Sequence, residues 1–99
     1  MNWNEVKKTL FEKGVVSIRP SGNSMSPRIE NKNLVTIERD YDGKIEIGDI
    51  VFCKVMGRYY IHKVSAIRHD QIQISSNKGH VNGWTTRINI YGKVVKVEK

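Results

Sequence analysis

Cysteine is almost absent from this chain of 99 residues: Cys53 is the only one. No internal disulfide can form, and a zinc site of several thiolates is excluded. The surrounding Ile50-Val51-Phe52-Cys53-Lys54-Val55 is an apolar run, which points to a buried structural thiol rather than a reactive one. No apolar stretch approaches the roughly 20 residues needed to cross a bilayer as a helix. The opening MNWNEVKKTLFEKG lacks the apolar segment of a secretory signal, so a cytoplasmic protein without a transmembrane anchor is expected. Three histidines and one cysteine share no metal-ligand spacing, so neither metal nor cofactor is expected. Acidic residues are few, 10 against 17 Lys and Arg, giving a net charge of +7. That excess suits an anionic partner such as nucleic acid, an acidic protein or a membrane surface. Yet the basic residues are scattered, with no dense run and no interleaved aromatic motif, so they read first as a solvated basic surface.

The length allows one small domain, 1–99, with no room for a separate DNA-binding or anchoring domain. Asn4 can cap a short helix over Glu5 to Lys13, and Gly14 stands where a C-terminal cap belongs, so residues 1–14 form a helical N-terminus. Residues 15–99 read as β: VVSIR, LVTIE, DIVFCKV, RYYIHKVSAI, QIQIS and INIYGKVVKV are rich in β-branched and aromatic residues and separated by turn signals. Met56-Gly57-Arg58 connects two of these runs, predicting an antiparallel hairpin of Ile50–Val55 with Tyr59–Ile67. In its second arm, alternation puts Tyr60, His62 and Val64 on one face and Tyr59, Ile61 and Lys63 on the other. Ser75 to Thr86 (SSNKGHVNGWTT) reads as a longer ordered loop that Trp84 packs onto the sheet. Six short strands and one helix suggest a mainly β fold, a small coiled sheet or partly open barrel.

The chemistry lies in Ser21-Gly22-Asn23-Ser24-Met25-Ser26-Pro27. Ser, Asn, Gly and Pro make turns whatever else they do. A serine hydroxyl is also a poor nucleophile that needs a base within about 2.6–3.2 Å, and an imidazole, with a pKa near 6.5, suits that task. His62 can supply it. The oxyanion of a tetrahedral intermediate needs donors, for which the backbone N–H of Ser24 and the side chains of Asn23 or Ser21 are candidates.

Gly22-Asn23-Ser24-Met25-Ser26-Pro27 resembles the G-x-S-M-x-P box of the signal peptidase and LexA-like serine peptidases, which carries the nucleophilic serine. In that family a Gly-Asp turn opens a long hairpin and the base lies on the returning arm. Here Gly48-Asp49-Ile50-Val51 opens the hairpin and His62-Lys63-Val64 lies on the return, similar to the His-Arg-Val of the archaeal and endoplasmic-reticulum signal peptidases. Ile90-Tyr91-Gly92-Lys93-Val94-Val95 resembles the closing strand, so the likeness spans roughly residues 15–97 and keeps the family's order of elements. It implies a LexA/signal peptidase fold, Ser24 as nucleophile and His62 as base. It also implies Met25 as a floor residue of the substrate cleft, with Pro27 and His80 as further cleft candidates, and an extended polypeptide substrate paired to a strand edge. This chain departs at SSNKGHVNGW, where the histidine-containing peptidases have a Gly-Asp-Asn segment supplying a base-orienting aspartate. No Asp or Glu occurs between Gln71 and Val97. Asn77 or Asn82 can take that role through an amide oxygen, as asparagine does in Cys-His-Asn sites, and Asp49 is a further substitute unless it makes the turn before the hairpin.

Two functions follow. One is a serine endopeptidase with a Ser-His dyad, a small processing protease or an accessory protein of a phage or mobile element. The chain has no room for the DNA-binding domain of a LexA-type repressor, and Ala66 is not followed by the glycine of the usual self-cleavage site. The other is a catalytically inactive module on the same fold that binds a protein partner or nucleic acid. The missing aspartate favours the second, the three-part order of motifs the first.

Overall fold

A computed structural model describes residues 1–39 and 43–99. Among these described residues one helix, α1 (Trp3–Lys13), precedes seven strands: β1 (Val15–Ile18), β2 (Leu34–Glu38), β3 (Ile50–Val55), β4 (Arg58–Arg68), β5 (Gln71–Ser75), β6 (Val81–Thr86) and β7 (Ile90–Glu98). They form one open antiparallel sheet in the order β1-β2-β7-β3-β4-β5-β6. The mainly β expectation therefore holds, with one more strand than the sequence predicts.

β3 is buried on both faces, which explains its near-continuous apolar sequence. Its alternate residues feed two cores. Ile50 and Phe52 join Val35, Ile37, Ile61 and Tyr91 beneath the Val6 and Leu10 face of α1. Val51, Cys53 and Val55 join Val64, Ile72, Ile74 and Ile90 on the other side. Burial pushes the Cys53 thiol up to about 12, as expected of a structural cysteine.

The β3–β4 hairpin forms as predicted. Met56 and Gly57 both have positive φ, 49° and 83°, the two-residue turn whose twist matches antiparallel strands. That turn fixes the register, Val55 opposite Arg58 and Val51 opposite His62, and so decides where the imidazole stands.

Three local expectations are corrected. The helix starts at Trp3, not Glu5, because Asn2 rather than Asn4 is its cap, its side chain accepting from the N–H groups of Asn4 and Glu5. Residues 75–86 are not one loop: Ser75 ends β5, and 81–86 are the edge strand β6, paired to β5 through Trp84 opposite Gln73. Trp84 is accordingly exposed on that edge, with the Arg68 guanidinium 5.7 Å from its ring centre, instead of packing a loop down. Ile88 and Asn89 lie in a 3₁₀ turn, so the closing strand begins at Ile90. Among the described residues no helix is long and apolar enough to cross a membrane.

Candidate active site

The serine-rich box lies between β1 and β2 and is tied at several points. Met25 and Ile29 are buried, 4% and 5% exposed, and anchor the segment in the α1-side core. The Asn31 side chain accepts from the Gly22 N–H at 2.8 Å, the Pro20 carbonyl accepts from the Lys32 N–H at 2.9 Å, and the Ser26 hydroxyl donates to the Glu30 carboxylate. Ser24 is thereby presented at the surface by a loop whose neighbours on both sides are held.

Across the sheet, β4 brings His62 to it. The Ser24 hydroxyl lies 3.0 Å from Nε2 of His62, across 38 positions of sequence. Nδ1 of the same ring lies 2.6 Å from Oδ1 of Asn82 on β6. An amide oxygen can only accept, so Nδ1 carries the proton and Nε2 presents its lone pair to the serine hydroxyl. The Tyr60 ring packs 4.9 Å from the imidazole, centre to centre. His62 is 8% exposed, and that burial is the largest influence on its pKa, lowering it from 6.5; the Asn82 hydrogen bond opposes the shift and the neighbouring His80 adds to it. Burial thus disfavours the charged imidazolium relative to the neutral ring.

The two asparagines singled out by sequence have different places. Asn82 meets the imidazole. Asn77 does not: its N–H donates to the Ser24 carbonyl at 2.8 Å and its side-chain amide to the Ser26 carbonyl at 3.0 Å, clasping the serine loop from the β5–β6 connection. Asp49 is engaged elsewhere, with its carboxylate 3.1 Å from Lys93 Nζ and accepting from the Glu46 N–H, so it belongs to the turn before β3.

A cleft of about 130 Å³ opens beside the pair, lined by Pro20, Ser21, Gly22, Ser24, Met25 and Ile29 of the serine loop, by Tyr59, Tyr60, Ile61 and His62 of β4, and by Trp3 of α1. Ser21 and Met25 line it. Asn23, Pro27 and His80 are exposed and are not among its walls, although the Asn23 carbonyl braces the box by accepting from the Ser26 N–H. Trp3, Tyr59 and Tyr60 are lining residues to which the sequence pattern assigns no place in a cleft. A tryptophan in the first turn of an otherwise ordinary amphipathic helix was the available signal. Among the described residues, no group of three or more His, Cys, Asp or Glu is placed to hold a metal ion.

A family model described as Peptidase S24-like matches residues 4–95, a span that contains Ser24, His62 and Asn82. No curated protein matches the chain. With nearly the whole chain matched, the protein belongs to the Peptidase S24-like family.

Proposed function

We propose that this chain is a serine endopeptidase that cleaves a polypeptide through Ser24, His62 and Asn82. The observation that carries the reading is the unbroken line from the Ser24 hydroxyl to His62 at 3.0 Å and on to Asn82 at 2.6 Å, at the edge of an open cleft. Ser24 Oγ attacks the scissile carbonyl as its proton passes to His62 Nε2. The imidazolium then gives that proton to the leaving amine as the C–N bond breaks, leaving an ester on Ser24. Water attacks the ester with His62 again as base, and the acid product leaves with Ser24 restored.

Asn82 keeps the imidazole in the tautomer and orientation this sequence of transfers needs. A neutral amide stabilises the imidazolium less than a carboxylate does, so the enzyme is expected to be slower than a Ser-His-Asp peptidase. For the oxyanion, the Ser24 backbone N–H is the first candidate donor, and the Ser21 hydroxyl, which lines the cleft, is favoured over the Asn23 side chain. Each such donor typically contributes about 2.7–4 kcal/mol to transition-state stability.

A mixed library of unstructured peptides, analysed by mass spectrometry, tests the proposal. Discrete cleavage by the wild type, lost in Ser24→Ala and His62→Ala, supports it. The amide in place of a carboxylate favours a second reading, a binding module that has kept the peptidase fold without turnover. Retention of a peptide subset without cleavage, unchanged in both variants, would point there.

A further inference from the structure

We infer that the outward face of strands β4, β5 and β6 binds single-stranded nucleic acid, with Trp84 stacking on a base and Arg68 meeting a phosphate beside it. This surface is separate from the cleft at Ser24 and His62, and the inference does not depend on turnover there.

The strand register defines the face. Arg68 stands opposite Gln71 and Gln71 opposite Thr86, while Ala66 stands opposite Gln73 and Gln73 opposite Trp84. Residues directly opposite one another share a side of a sheet. The residues between them, Ile67, Ile72 and Ile74, join the second core on the other side. The outward side therefore carries one indole, one guanidinium and three neutral hydrogen-bonding side chains, with no carboxylate among them.

An exposed apolar ring alone would mean little, and Trp84 is 39% exposed. Its surroundings give it chemistry. The Arg68 guanidinium lies 5.7 Å from the ring centre and has no carboxylate partner among the described residues. The Ser65 hydroxyl donates to Oε1 of Gln73 at 2.9 Å, which fixes the amide, and its Nε2 makes no bond among the described residues. A planar ring, a free cation and a positioned amide donor are the groups that stack a base, hold its phosphate and reach its edge. They form no motif in the sequence because Arg68, Gln73 and Trp84 lie on three strands and meet only in the sheet.

Charge sets the sign of the partner. Residues 1–49 hold eight Lys and Arg and eight Asp and Glu, so the whole net charge of +7 belongs to residues 50–99. Within 58–87, the span of β4, β5 and β6, Arg58, Lys63, Arg68, Lys78 and Arg87 stand against Asp70 alone. A second copy of the chain would bring the same sign to this face, whereas a polynucleotide brings the opposite one. An acidic peptide answers the charge but not the flat indole. In a duplex each base face is covered by the next pair, so the strand that stacks here is single.

The test titrates the full chain into fluorescein-labelled oligo(dT) and oligo(rU) of about 15 nucleotides, and a duplex of equal length, followed by anisotropy. Both single strands are expected to bind more tightly than the duplex, and the tighter of the two distinguishes DNA from RNA. Trp84→Ala should weaken single-strand binding about 5- to 150-fold, the loss of one stacked base, and Trp84→Phe by less. Arg68→Gln should weaken it and lower the slope of log affinity against log salt by about 0.7, one phosphate contact. These two variants carry the test if Trp84→Ala does not fold. In a Trp3→Phe background Trp84 is the one remaining tryptophan, and its emission should be quenched as oligo(dT) binds. Ser24→Ala should bind as the wild type does. Single strands left unbound at about 50 mM salt overturn the inference. So do affinity unchanged in folded Trp84 variants, a duplex bound as tightly as a single strand, or binding lost in Ser24→Ala. Polyglutamate bound with the same dependence on Trp84, where the oligonucleotides are not, would assign the face to an acidic protein and overturn it as well. None of these outcomes bears on the reactivity of Ser24, so the catalytic reading is tested apart from this one.

Discussion

The amide oxygen of Asn82 stands 2.6 Å from Nδ1 of His62, while Ser24 holds the ring's other nitrogen at 3.0 Å. An amide thus occupies the position that a carboxylate takes in most serine peptidases, and it does so from β6, the edge strand of the sheet. The consequence is electrostatic. The Asn82 hydrogen bond stabilises the protonated imidazole only modestly, so burial prevails and the His62 pKa is lowered.

The pH profile follows from that balance. His62 must be neutral to act, so kcat/KM for any cleaved peptide rises with pH through the folded-state pKa, and its acid limb lies below 6.5. Asn82→Asp places a carboxylate on the imidazole, moves that limb up and raises kcat. Asn82→Ala removes the hydrogen bond that opposes the shift, moves the limb further down and lowers kcat. His80→Ala removes a neighbouring charge and moves it up. An acid limb that none of the three displaces would show that His62 is not the group titrating.

Stability carries the same signature. The unfolded chain takes up a proton on His62 near 6.5, before the folded protein does. The contribution of this group is therefore fully present above 6.5 and is lost as pH falls from there through the folded value. Urea midpoints measured between pH 7.5 and 5 should decline, and the decline should be shallower in His62→Gln.

Under the proposed mechanism Asn77 acts as a positioning residue: it touches Ser24 and Ser26 through their carbonyls and does not meet the imidazole. Asn77→Ala removes the donor to Ser26 at a stability cost of about 1 kcal/mol. With the loop loosened, kcat should fall about 10- to 100-fold, because a displacement of about 1 Å at a reacting group costs rate on that scale. The acid limb should stay in place, which separates this role from that of Asn82. A displaced limb would mean that Asn77 acts on the base after all.

Gly92 bears on folding rather than on chemistry. A Cβ at this position would stand 2.7 Å from the Glu38 carbonyl oxygen and 2.8 Å from Ile37 Cγ2, inside the β2–β7 pairing and under Leu10 of α1. Gly92→Ala forces backbone apart, at a cost of about 1–3 kcal/mol for overpacking. At roughly 4–8 °C per kcal/mol for a domain of this size, calorimetry should show a loss of Tm between about 4 and 24 °C. An unchanged Tm would mean that β2 and β7 separate easily at this point.

Much of this was legible in the sequence because it is local. The alternation Tyr60, His62, Val64 and the Met56-Gly57 turn fix the hairpin, and the hairpin fixes the face on which His62 stands. The box around Ser24 announces itself by composition and spacing. The choice between Asn77 and Asn82 was not legible, because it depends on whether SSNKGHVNGWTT is loop or strand. Its Ser, Asn and Gly content argues for loop, while pairing with β5 makes its second half a strand. Gly83 shows the override: at φ +139° it brings β6 within 3.1 Å, from its would-be Cβ, of a Val55 methyl. The start of α1 escaped for a related reason. Both Asn2 and Asn4 are good caps, and the choice between them goes with the packing of Trp3 on Phe52, a contact 49 residues away in the chain.

The reaction of Ser24 itself is the most direct measurement. Purified protein treated with a small alkyl fluorophosphonate, then digested and analysed by mass spectrometry, should carry one adduct, on Ser24 and on no other serine. Labelling should be absent in Ser24→Ala and slowed by several orders of magnitude in His62→Ala, with both variants folded. Wild-type protein that stays unmodified, or that labels at the same rate without His62, would contradict a nucleophile activated by that imidazole.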